Sequence, residues 1–133
     1  MTDYFHVEMD RGELGGISNL GLANLGDGVF ELMVRTRLCI HGKATGRGIH
    51  KAAVGLVAAP AQAKAAERIL PILTPEEADA FRRGRNSNPH SVPQSASRAE
   101  YQTATGLEAL FGWLYLQGET GRLCELFDKM MEE

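Results

Sequence analysis

The sequence predicts an all-α fold of about six or seven helices. Three observations carry this. Apolar residues recur at the 3.6-residue period, two-residue alternation is scarce, and capping residues head the periodic stretches. The chain has 133 residues, 44% of them hydrophobic, which suits one core and one domain over residues 1–133 rather than two domains.

The elements follow in order. The start, "MTDYFHVEMDRGELGG", is acidic, reads as frayed, and lacks both the basic and the apolar regions of a secretory signal. Ser18 or Asn19 caps a helix running to about Ile40, and Gly42 closes it. "HGKATGRG" reads as a turn-rich loop. "IHKAAVGLVAAPAQAKAAERILPIL" is Ala-rich and helical, with Pro60 either breaking it or standing in the first turn of a second helix. Thr74, followed by "PEEADAFRRGR", is a strong helix start: a capping residue, then proline, then acids in the first turn. The arginines of that helix fall at its C-terminal end, where the helix dipole favours cations. "NSNPHSVPQSAS" is a loop, longer than most connections between helices. Ser97 caps "RAEYQTATGLEALFGWLYLQG", and Gly118 or Gly121 separates it from a last helix ending "LCELFDKMMEE".

Composition narrows the function. No apolar run reaches membrane-spanning length. Cys39 and Cys124 are far apart in sequence and read as reduced, partly buried thiols of a cytoplasmic protein. The net charge of -3 is unevenly placed. Residues 32–99 hold eleven lysines and arginines against four acids, while the remainder holds three against thirteen. A basic face on an acidic body is the footprint of a polyanion partner.

Two acids stand out within apolar helices. "LANLGDGVFELMVR" carries Asp27 between two glycines, and "ATGLEALFGWLYL" carries Glu108 beside Gly106 and Ala109. A buried unpaired carboxylate tends to take up a proton, and two together need a cation between them. Small neighbours let two helices approach closely enough for the acids to meet. One or two carboxylates, completed by water and phosphate, suit Mg²⁺. The alternative is that each acid pairs separately with an arginine such as Arg35 or Arg98. Glu31, four residues after Asp27, could complete the carboxylate set, but it also stands four residues before Arg35 in the favourable order for a helix-surface pair. Thr105 and Tyr101 could line the same region. Trp113, Phe111 and Tyr115 read as core or subunit-interface residues.

These stretches resemble a known family. "LANLGDGVFELMVR" is similar to the signature helix of the ribonuclease III family, and "ATGLEALFGWLYL" to its second signature. "IHKAAVGLVAAPAQAK" lies where the family has its intervening basic helix. Together with "FRRGRNSN" and the short length, the match is to the Mini-ribonuclease III group. It covers roughly residues 18–127, the expected core, and each motif appears in family order.

The resemblance implies a ribonuclease III-like endonuclease domain without a separate double-stranded-RNA-binding domain. It implies a cytoplasmic homodimer that cleaves double-stranded RNA with Mg²⁺, for which Mn²⁺ can substitute. The associated substrate is the large-subunit (23S-type) ribosomal RNA precursor. Asp27 and Glu108 take the catalytic, metal-binding positions. The additional acids of full-length relatives are replaced here by Ala23 and Thr105, a thinning that the Mini group shares. Without an added binding domain, the basic middle stretch must grip RNA. His50 and Lys51 are expected to open one helix. Arg82, Arg83, Arg85 and Asn86 run into the 86–97 loop, which is expected to contact RNA. Two other readings are a non-catalytic RNA-binding dimer with the same fold, and a helical protein-interaction module.

Overall fold

The structure is a computed structural model and describes residues 1–87 and 97–132. Among these residues there are seven α-helices and no strand. They are α1 (Arg11–Leu14), α2 (Asn19–Ile40), α3 (Gly46–Val57), α4 (Ala59–Ala66), α5 (Pro75–Arg85), α6 (Arg98–Leu116) and α7 (Thr120–Met130), with a 3-10 turn at Leu70–Ile72 before α5.

The expected punctuation sets most boundaries. Ser18 accepts a hydrogen bond from the Gly21 amide at the head of α2. Thr74 with Glu77, and Ser97 with Glu100, form reciprocal capping boxes on α5 and α6. At the end of α2, Gly42 takes φ 98°, Lys43 N–H donates to Leu38 O, and Gly42 N–H donates to Cys39 O. Gly118 repeats this geometry after α6 at φ 78°, with Glu119 donating to Leu114 O and Gly118 to Tyr115 O. Both are Schellman turns, which glycine adopts without a side-chain clash. Pro60 stands in the first turn of α4, and the extended Ala58 divides α3 from α4.

Two boundaries differ from expectation. The N-terminal segment is tied down rather than frayed: Met9 N–H donates to Leu116 O at 2.7 Å, Asp10 and Glu13 form a capping box, and Leu14 is buried. α3 begins at Gly46, capped by the Thr45 hydroxyl, so part of "HGKATGRG" is helix. The glycines on either side of Arg47 hide that cap in the sequence.

α6 is the central helix. Its residues Ala104–Leu114 are buried apart from the half-buried Glu108, and it packs against α2, α4, α5 and α7. Phe30 of α2 meets Phe111 of α6 and Phe127 of α7 edge-on, each with centroids 5.8 Å apart. Trp113 is also buried, with the Arg11 guanidinium 5.4 Å from its ring, and Tyr115 packs half-buried against the core. α7 is clamped by Arg122, which bonds the buried Glu77 carboxylate at 2.8 Å and Ile72 O at 2.8 Å.

Cys39 and Cys124 are both exposed, not partly buried as expected. Leu38 and Leu123 occupy the core-facing positions of their helices. Each cysteine follows one residue later and is turned about 100° away.

Candidate active site

The centre of the site is the α2–α6 crossing. Gly26 and Gly112 bring the two backbones nearly into contact. A methyl at Gly26 would fall 1.6 Å from Glu108 O, and one at Gly112 would fall 2.1 Å from Leu22 O. No side chain fits at either place. Asp27 follows Gly26 on α2, and Glu108 lies one turn before Gly112 on α6, so the close approach sets the two carboxyl groups face to face.

The flanking small residues do not all serve this contact. Gly28 has nothing within 4 Å of where its Cβ would be. Gly106 faces the other way, onto α5, where a methyl would fall 2.7 Å from Phe81 O. Gly84 and Ala109 complete that second close packing. α6 therefore uses one small-residue face against α2 and another against α5.

Asp27 is exposed and Glu108 is half-buried. The Glu108 carboxyl is pushed up from 4.5 to about 8. Burial is the main cause, followed by the charge of Asp27 and the hydrogen bond the two acids share. The Gln62 amide of α4 acts in the opposite direction, favouring the charged form.

The separate-pairing alternative is not what the structure shows. Among the described residues no ion pair engages Asp27 or Glu108. Arg35 is bonded to Glu31, at 2.9 Å from its Nη2 and 3.2 Å from its Nε. Glu31 is thus held by its i+4 arginine. Thr105 is buried, and its hydroxyl donates to Tyr101 O at 2.9 Å within its own helix. Among the described residues no cluster of three or more His, Cys, Asp or Glu is present. What the fold assembles is a pair of carboxylates, one wet and one half-buried. Such a pair suits a hard cation that completes its shell with water and phosphate oxygens.

The basic residues lie elsewhere on the surface. His50 and Lys51 are exposed but sit in the second turn of α3, not at its opening, because the helix starts at Gly46. Their own backbone amides are therefore inside the helix and cannot receive a phosphate. Arg82 and Arg83 are exposed, and both bond Asp79. Arg85 reaches the Asn86 side chain at 3.4 Å, and Asn86 caps the C-terminus of α5. The expectation for the 86–97 loop rests mostly on residues 88–96, which lie outside the described residues.

Gln62 is the site residue that sequence reading missed. Its signal was present: in "AAPAQAKAAERIL" it heads the i, i+3, i+4, i+7 series with Ala65, Ala66 and Ile69, all buried. It is a polar side chain on an apolar face.

Comparison with known proteins agrees with this geometry. The model of the ribonuclease III domain matches residues 20–119. Mini-ribonuclease 3 of Symbiobacterium thermophilum is 46% identical over 107 residues, spanning 80% of this chain and 82% of the relative. Mini-ribonuclease 3 of Thermoanaerobacter sp. is 41% identical over 120 residues, spanning 88% and 84%. A crystal structure of a Fusobacterium nucleatum protein superposes with a TM-score of 0.79 at 29% identity, covering 87% of this chain and 94% of that one. With its two signature helices crossing at Gly26 and Gly112, the chain belongs to the ribonuclease III family, in the Mini-ribonuclease 3 group.

Proposed function

We propose that this protein is a cytoplasmic, Mg²⁺-dependent endoribonuclease that cuts double-stranded RNA as a homodimer. We further propose that its substrate is the large-subunit (23S-type) ribosomal RNA precursor. The observation that carries the catalytic reading is the facing of Asp27 and Glu108 across the Gly26–Gly112 contact.

Asp27 and Glu108 fit a divalent cation because they are two negative groups forced together with no counter-charge in contact among the described residues. Mn²⁺ would satisfy the same oxygen donors. When bound, such an ion ionises a water and offsets charge growing on the attacked phosphate. Asp27, on the solvent side, presents its carboxylate to the RNA backbone. Glu108, anchored between α2 and α4, fixes the inner side of the site. His50, Lys51, Arg82, Arg83, Arg85 and Asn86 are the candidate phosphate contacts. Their exposure suits a duplex read through shape and backbone rather than bases.

A homodimer is supported by an apolar surface bordering the site. Leu32 is 54% exposed, Ile40 75% and Phe5 68%. Two adjoining shallow grooves along α2 and α7 share Leu32, Met33 and Cys124, and one of them reaches Gly28. A second copy laid along this face would place two sites beside one interface, one for each strand.

The test is incubation with a radiolabelled RNA duplex in Mg²⁺ or in EDTA. Cleavage is expected in Mg²⁺ alone. Asp27→Asn and Glu108→Gln are each expected to lower the cleavage rate about 10³-fold or more, the scale of losing several kcal/mol of charge stabilisation. Binding to the duplex should be nearly unchanged. Binding without cleavage by the parent protein in either buffer would instead identify a non-catalytic RNA-binding dimer.

A further inference from the structure

Gln62 is 1% exposed, on the face of α4 that packs against α6. Its Nε2 donates to Val57 O at 2.9 Å, capping one of the free carbonyls at the end of α3. The same side chain lies against the Glu108 carboxyl. Its Oε1 is buried and finds no hydrogen-bond partner among the described residues. Buried polar atoms are nearly always paired, and one left alone is costly to the fold unless something occupies the position. Gln62 also follows Pro60 and the extended Ala58, so the α3–α4 junction fixes where its side chain starts.

We infer that Gln62 is a positioning residue for the cation site: its amide bridges the end of α3 to Glu108, and its Oε1 accepts a hydrogen bond from a water in the shell of a divalent ion held by Asp27 and Glu108. One face of the amide orients the inner carboxylate, and the other supplies an acceptor that Glu108 itself cannot. This assignment rests on the metal-dependent reading of the site. Partners of this outer kind set the orientation of the direct ligands, and losing one typically weakens metal binding about 10–100-fold.

The probe is Mn²⁺ alone, titrated into the full-length protein without RNA and followed by electron paramagnetic resonance of the free ion. Thermal unfolding is measured in EDTA on the same samples. Gln62→Met replaces the amide with an apolar chain of similar length. Gln62→Asn keeps the amide but is too short to span Val57 and Glu108. Each is expected to weaken Mn²⁺ binding about 10–100-fold. For Gln62→Met, the EDTA melting temperature should stay equal to or above that of the parent, because the unpaired acceptor is gone. A merely structural glutamine would lower the melting temperature and leave the affinity of the folded fraction unchanged. Parent-like Mn²⁺ affinity in either folded variant overturns the inference. If the parent binds Mn²⁺ and Asp27→Asn does not, that failure concerns Gln62 alone. If the parent itself binds no Mn²⁺, the inference and the metal-dependent reading both fall.

Discussion

Glu108 is the residue whose chemistry depends most on its surroundings. In the folded chain without a cation its carboxyl is raised from 4.5 to about 8. The fold therefore favours the protonated form. The sign follows directly: this group's share of stability is complete below about pH 4.5 and is lost as pH climbs through about 8. Glu108→Gln removes that loss. In EDTA the variant should match the parent near pH 4.5 and exceed it by about 1–3 kcal/mol at pH 8, measured by urea unfolding at both values. A difference independent of pH would contradict this. Cation binding has the opposite dependence, because the ion needs the carboxylate. Mg²⁺ affinity should rise about tenfold per pH unit from 6 to 7.5, with proton release visible by calorimetry in two buffers. Asp27 and Glu108 were both legible as residues, since an acid inside an apolar helix is conspicuous. Gln62 was not, because a neutral amide among alanines resembles a surface position until its face is known.

At the scale of elements, glycine spacing decides the geometry. Gly26→Ala places a methyl 1.6 Å from Glu108 O, so α2 and α6 must separate. We expect a loss of about 3 kcal/mol or more, together with loss of Mn²⁺ binding. Gly28→Ala, two residues away, meets nothing within 4 Å. It should instead gain about 0.5–1 kcal/mol from helix propensity, with cleavage retained. Chemical denaturation of the pair checks both signs, and equal effects would refute the crossing as described. The helix ends were largely readable, because Ser18, Thr74, Ser97, Gly42 and Gly118 each act through local hydrogen bonds. The start of α3 was not, because Thr45 is followed by two glycines within three residues, a pattern shared by loops. α1 escaped because four residues are too few to show a period, and its position depends on distant Leu116. Gly106 and Gly112 look alike in the sequence; only packing shows that one faces α5 and the other α2.

For the whole molecule, the separation of charge and apolar surface sets the assembly. Leu32 is more than half exposed at the centre of the α2 face that the proposed partner would cover. Leu32→Glu introduces a charge there and touches neither acid of the site. The variant is expected to sediment as a monomer at concentrations where the parent is a dimer, with its melting temperature in dilute solution nearly unchanged. A parent that sediments as a monomer throughout would remove the dimer from the proposal. The all-α class was readable from period alone. The exposure of Cys39 and Cys124 was not, because a thiol suits either side of a helix and its neighbours Leu38 and Leu123 decide.

The close approach of Gly26 to Glu108 also sets an order of events during synthesis. Some eighty residues of chain lie between the two halves of the site, so their meeting closes a long loop. A nascent chain that has made only α2 carries one exposed aspartate and no second ligand. Nuclease competence must therefore arrive late, when α6 emerges and docks, and any event that frees α6 abolishes it.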